Sequence, residues 1–272
     1  MSSDNWFTNS IDGKRVVYVC DWLPPEFGAV GQYSVQFSRE RAGAGQDVLL
    51  VGLSSTEPSL RVETCGDGRL TTWKLLASAY NKSSFASRLW WTAIINLRFM
   101  LHLVRPFMRA DEIVFTGSPP FMVHWVAPLN LLLRKKVIYR ITDFYPECLM
   151  AAKERVGLPL RLLHAVTVFW RKRIPVIEIL GEDQRRRLHE VGIADDRIQM
   201  KRDPSPITIP ADTTPMEIPQ QIAGYTILLY SGNFGVAHDY QTFVDGYILH
   251  HREGNGKVVL WLNAVGANAD IV

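Results

Sequence analysis

The sequence predicts an α/β protein of doubly wound, Rossmann-like units, on three observations. A β-branched run over residues 16–20 (VVYVC) leads into a Pro/Gly-rich loop, a helical stretch over 31–42, Gly43 and Gly45, and a second apolar run over 48–53. Strand, helix, glycine stop and strand make a βαβ unit with a parallel sheet. Short apolar runs at 112–115, 137–141 and 176–180 follow, separated by segments long enough for crossover helices. The opening pattern then restarts near residue 221: 226–230 (TILLY) reads as a strand, 231–235 as a glycine turn, 239–251 as a helix and 257–262 (KVVLWL) as another strand.

Between the two patterns Pro204, Pro206, Pro210, Pro215 and Pro219 fall in a stretch with neither helical nor alternating period, as in a stiff, extended connector. The expected division is an N-terminal domain over 1–203, a proline-rich linker over 204–220, and the start of a second domain over 221–272. The second domain is expected to hold only its first βαβ part, with fewer strands than a doubly wound sheet usually has.

Composition sets the outer bounds. With 272 residues, 47% apolar and 21% charged, the chain can bury a core and is neither fibrous nor disordered. A formal charge of +3 is too small to argue for nucleic acid by bulk electrostatics. Basic clusters such as Arg171-Lys172-Arg173 and Arg185-Arg186-Arg187 read first as solvated helix ends. Glu182 and Asp183 open the helix that carries the second cluster, because carboxylates favour a helix N-terminus. Cys20, Cys65 and Cys148 are too widely spaced for a disulfide framework or a metal site, which fits a reducing cytoplasm. The first fourteen residues are polar and unlike a secretion signal. The most apolar long segment, 85–104, is interrupted by Arg88, Asn96, Arg98 and His102, so the chain is expected to lie on a membrane if it meets one.

Two glycine loops carry the chemistry. Gly28-Ala29-Val30-Gly31 follows the first strand, and Gly232-Asn233-Phe234-Gly235, with His238 and Asp239, holds the same place in the second pattern. Glycines there let backbone approach a ligand, and the helix N-terminus offers free N–H groups to an anion. The first loop is not GxGxxG, and Ser54, Ser55 and Thr56 stand where a dinucleotide site wants an acid. Asp143, just past the run 137–141, is placed at the carboxyl edge of the sheet, where α/β folds bind ligands. An N-cap or turn role explains it equally well. His124 and His164 read as packed or surface histidines.

At these residues the chain resembles family 4 glycosyltransferases of the GT-B fold, and more closely the branch that builds bacterial surface polysaccharides. The matching pieces are Gly28 with Gly31-Gln32-Tyr33-Ser34, Arg39, Gly43, Gly45-Gln46-Asp47-Val48, Ser118-Pro119-Pro120, Asp143-Phe144-Tyr145-Pro146-Glu147 and Tyr230 through Gly235. The resemblance implies transfer of a sugar from a nucleotide diphosphate donor to a saccharide acceptor, with retention and without a bound metal or other cofactor. It places acceptor binding in the first domain and donor binding in the second. Gly232, Asn233, Gly235 and His238 would hold the donor diphosphate, with Gly28 and Gly31 facing it. Fixed amides and cations stabilise the charge gathering on a departing diphosphate. Asn233 and His238 stand where many members carry Arg and Lys, so a cationic grip there depends on protonation of His238. The family's paired-glutamate motif lies beyond the second-domain residues present.

A helix over 85–105 puts Trp91, Ile95 and Phe99 between two polar rows that include Arg88, on the arc expected to be wet. Rings interleaved with cations suit a membrane interface, and Trp170 with Arg171 extends that expected face. A lipid-linked acceptor at the inner leaflet would account for both segments. Two other classes compete: a nicotinamide-dependent Rossmann oxidoreductase, and a non-catalytic protein that uses the aromatic and basic helix on membranes.

Overall fold

β-Branched and aliphatic runs form the strands. β1 (Arg15–Trp22), β2 (Asp47–Ser54), β3 (Ser59–Cys65), β4 (Gly68–Leu76), β5 (Glu112–Thr116), β6 (Lys136–Arg140), β7 (Val176–Ile179) and β8 (Ile198–Met200) make one sheet in the order β3-β4-β2-β1-β5-β6-β7-β8. β3 runs antiparallel to β4, and all other pairs are parallel. Among the described residues six α-helices accompany them: α1 (Ala29–Gly43), α2 (Phe85–Arg109), α3 (Val123–Leu133), α4 (Glu147–Ala151), α5 (Leu158–Arg171) and α6 (Glu182–Glu190). The computed structural model describes residues 5–9, 11–26, 28–78, 85–151, 153–203, 205, 209–234, 239–254, 256–265 and 269; residues 85, 86, 88 and 233 are described by backbone only.

Two compact units result, Met1–Thr208 and Ile209–Val272. In the first, strands buried on both faces read as continuous hydrophobic runs. Phe37 and Ala42 of α1 pack with Val16, Tyr18, Val48 and Leu50 on one face. Phe99, Leu103 and Phe107 of α2 and Val123 and Val126 of α3 pack with Val17, Val19, Leu49, Ile113 and Phe115 on the other. The start of α1 lies hard against the end of β1. A Cβ on Gly31 would sit 1.9 Å from the Trp22 carbonyl oxygen, so close helix–strand packing alone requires glycine there. Around Gly28, which precedes the first residue of α1, a Cβ would meet nothing within 4 Å.

The α6 acids fall where expected, with Glu182 and Asp183 in its first turn. The β3–β4 hairpin is an addition to the sequence reading. Its strands alternate along SLRVETC and close through Gly66, Asp67 and Gly68, with Gly66 at φ 56°.

The face of α2 is the largest correction. Ile95 and Phe99, expected on the wet arc, are buried, and Trp91 is half-buried against the core. The outward stripe holds Trp90, Ile94, Leu97, Leu101 and Met108 instead. α2 is apolar on more than one side, so its polar residues decide its orientation. Asn96 turns inward and donates from Nδ2 to the Pro120 carbonyl oxygen at 2.8 Å, and Thr92, one turn earlier, is buried as well. Arg171 is corrected likewise. It is fully buried and paired with Glu147, because a guanidinium whose donors meet a carboxylate and a carbonyl can leave water. Trp170 is half-buried against the core, while Leu158, Leu162, Val166 and Phe169 are the exposed apolar residues of α5. Nothing is described of the Arg88 side chain.

The described residues of the second unit form a βαβ: β9 (Thr226–Asn233), α7 (Tyr240–Glu253) and β10 (Val258–Val265), the two strands parallel from Thr226 opposite Val258 to Asn233 opposite Val265. Asp239 caps α7, accepting from the Thr242 N–H at 3.1 Å. β9 runs through Gly232 and Asn233, so those two residues are extended strand and not the turn expected of them. Residues 209–219 form neither helix nor strand.

Candidate functional site

Strand order fixes where a ligand belongs. From β1 the chain winds outward through β2 to β4, then α2 carries it back across to β5 on the other side of β1. β1 and β5 therefore flank the topological switch point, and the crevice at their carboxyl ends is the ligand site of such folds. A cavity of about 210 Å³ lies at that place within the first unit.

Three strand ends and two helices build it, α4 contributing Leu149. The end of β1 supplies Asp21 and Trp22, the β5–α3 loop supplies residues 118–121, the β6–α4 loop supplies Asp143 and Tyr145, and α2 supplies Leu89, Trp91 and Thr92. The walls are braced from behind. Trp22 stacks on Trp91, with centroids 5.9 Å apart and planes 20° from parallel, and the Trp91 indole N–H donates to the Ser78 carbonyl oxygen at 2.8 Å. Phe121 meets the Tyr145 ring edge-on at 5.8 Å. Its backbone is held at φ 66°, an uncommon conformation for a bulky side chain. Buried Arg171 grips the Tyr145 carbonyl oxygen at 2.7 Å and the Glu147 carboxylate, anchoring the loop that carries Asp143.

Two carboxylates face this apolar setting. The Ser118 hydroxyl donates to Asp21 Oδ2. Burial raises the Asp21 pKa above the usual carboxylate value despite that bond, and the charge of Asp143 raises it further. Asp143 stands at the exposed rim, and desolvation by its surroundings raises its pKa too. The arrangement can accept hydrogen bonds from hydroxyls or ammonium groups while a flat apolar ligand face lies on the aromatic walls.

Of the expected site residues, Asp143 and Trp91 line this cavity, Trp91 having been expected on a membrane- or acceptor-facing surface. Asp21 was not singled out, although an acid closing the first strand, VVYVCD, was the signal for it. Gly28 and Gly31 bound the start of α1 and do not line the cavity. In the second unit, a Cβ on Gly232 would make only ordinary contact with the Tyr230 ring at 3.8 Å, so its packing does not demand glycine. Gly235 and His238 lie outside the described residues, and Asn233 is described by backbone only. His124 is held by Thr167 Oγ1 at 2.9 Å, and desolvation lowers its pKa; His164 lies 3.4 Å from Glu147.

No family model and no curated protein matches the chain. Solved structures do. The chain is similar to trehalose-6-phosphate from E. coli bound with UDP-2-fluoro glucose, at 13% identity over 95% of this chain and 66% of that one, with a TM-score of 0.50. It is similar to the alpha,alpha-trehalose 6-phosphate synthase of Burkholderia multivorans at 11% identity, 95% and 65% coverage and a TM-score of 0.53. A trehalose-6-phosphate synthase studied with bisubstrate glycomimetics gives 14%, 95%, 65% and 0.53. The fold is that of GT-B glycosyltransferases. The chain spans 65–66% of the length of these GT-B structures, and at such identities the likeness speaks for the fold and not for the reaction.

Proposed function

We propose that the chain acts as a glycosyltransferase that moves a sugar from a nucleotide diphosphate donor to a saccharide, with the acceptor held by its first unit. The observation that carries the reading is the cavity at the β1/β5 switch point, with two carboxylates among aromatic walls. In transfer, the acceptor hydroxyl oxygen bonds to the donor's anomeric carbon, the bond to the diphosphate oxygen breaks, and the hydroxyl proton leaves with the diphosphate. Asp143 and Asp21 accept hydrogen bonds from the acceptor's hydroxyls and orient the attacking one. Support for a nucleotide sugar comes from the GT-B fold, one structure of which is named with UDP-2-fluoro glucose and another for glycosyltransfer with retention. Gly232, Asn233, Gly235 and His238 are proposed to meet the donor, with Gly28 and Gly31 on the acceptor side.

The finer reading is a retaining, metal-independent enzyme of the family 4, surface-polysaccharide kind, working on a lipid-linked acceptor from the cytoplasmic face of a membrane. No helix among the described residues is long and apolar enough to cross a bilayer. The outward stripes of α2 and α5 suit adsorption to its surface, since rings and aliphatics can sink to headgroup depth.

The test is saccharide binding by ligand-observed NMR, with transfer from labelled UDP-sugars, in the presence and absence of EDTA, as a second readout. Millimolar binding that Asp143→Asn weakens supports the reading, as does EDTA-resistant transfer. The absence of both saccharide binding and transfer overturns it. Vesicle cosedimentation that depends on Trp90 and Leu101 tests the membrane part separately.

A further inference from the structure

The cavity also says which saccharides it takes, an inference that rests on the reading above. Among the described residues that line it, Asp21 and Asp143 are the only charged ones. The described cations nearby are already engaged: Lys74 donates to the Pro24 carbonyl oxygen, Arg98 to that of Leu76, and Arg171 to Glu147 and the Tyr145 carbonyl oxygen. The rest of the lining is made of aromatic rings, proline rings, Leu89, Leu149 and the side chains of Ser118 and Thr92. A phosphate or carboxylate seated here would meet two like charges, with no guanidinium or ammonium among the described residues of the lining to receive it. A hydroxyl donates to either carboxylate at no such cost, and an ammonium gains from both.

We propose that this cavity receives an acceptor sugar ring bearing no anionic group, and that it prefers an amino sugar to the neutral sugar of the same shape. The two acids then act as specificity residues: they accept hydrogen bonds from the ring and exclude sugar phosphates and uronic acids. A lipid-linked acceptor still fits, provided that its phosphates lie outside the cavity and its terminal sugar inside. The charge of Asp143 disfavours ionisation of Asp21, and a bound cation offsets that effect.

The experiment measures binding of glucosamine, glucose and glucose 6-phosphate to the full chain at pH 7 and constant ionic strength, by NMR titration. The expected order is glucosamine tighter than glucose by about tenfold, and glucose 6-phosphate weaker than glucose by at least as much, each tenfold step being the size of one short-range charge contact. Asp21→Asn and Asp143→Asn should each weaken glucosamine more than they weaken glucose and improve glucose 6-phosphate relative to glucose, so that both gaps shrink, a readout that simple loss of folding would not give. Glucose 6-phosphate binding as tightly as glucosamine, or gaps unchanged in both variants, overturns the charge selection and leaves the glycosyltransferase reading standing. Failure of all three sugars to bind overturns both.

Discussion

The two edges of the large sheet use the same residue types to opposite ends. At the amino edge, Glu112 opens β5 and Asp47 opens β2, both fully buried and both surrounded by cations. Lys14, Arg41 and Lys136 all reach Glu112, while Arg69 takes both Asp47 oxygens, with Nε at 3.0 Å and Nη2 at 2.9 Å. Burial opposes ionisation of Glu112, yet its three partners hold its pKa at about 2. At the carboxyl edge, Asp21 has a serine and Asp143 has no described cation, and both pKa values are pushed up. An acid that is neutralised contributes to stability, whereas an acid left without a countercharge costs stability and keeps its lone pairs for a ligand.

Four measurements can break that comparison. The largest effect is expected from Arg69→Met, which leaves Asp47 buried with only Arg15 at 3.7 Å; chemical denaturation should show a loss of about 3 kcal/mol. Glu112→Gln should cost about 2 kcal/mol at neutral pH. Because its folded pKa is depressed, the Glu112 contribution is complete above its ordinary value of 4.5 and is lost as pH falls from there towards about 2. Wild type and Glu112→Gln should therefore converge in stability in acid, and a constant gap would mean that the cation cluster is not responsible.

Asp143→Asn is expected to move stability the other way. A raised folded pKa penalises the ionised form, so the variant should melt slightly higher at pH 7. That gain should vanish below the ordinary carboxylate value of 3.8, where Asp143 is protonated in both states. Melting temperatures at pH 7 and pH 3 check the sign. Asp21→Asn should show the smallest change, within about 0.5 kcal/mol, because losing the ionised oxygen that accepts from Ser118 offsets the relief. A clear loss of stability in either Asn variant would place these acids with Asp47 and Glu112.

Much of this was legible in the chain. The runs at 16–20, 48–53, 112–115 and 137–141 became β1, β2, β5 and β6, because strands buried on both faces must be continuously apolar. Asp143 was legible because an acid directly after such a run falls at the carboxyl edge. Asp21 has the same signature, but the Pro/Gly-rich loop that follows it carries a stronger ligand signal. The alternation along 59–65 and the Gly-Asp-Gly turn after it carry the signature of a hairpin. The orientation of α2 was not readable from periodicity. Both of its long sides are apolar, and only the Pro120 carbonyl oxygen, distant in sequence, tells Asn96 which way to face.

α2 touches the cavity with Trp91 and Thr92 and shows Trp90, Leu97 and Leu101 to the outside. A helix with its side chains is about 10–12 Å across, so whatever covers the outer stripe lies roughly one helix width from the pocket wall. If that covering is a lipid surface, the wall becomes a ruler: an anchored acceptor reaches the carboxylates only when the spacer between its anchor and its terminal sugar matches that height, and spacer length joins charge as a criterion of choice.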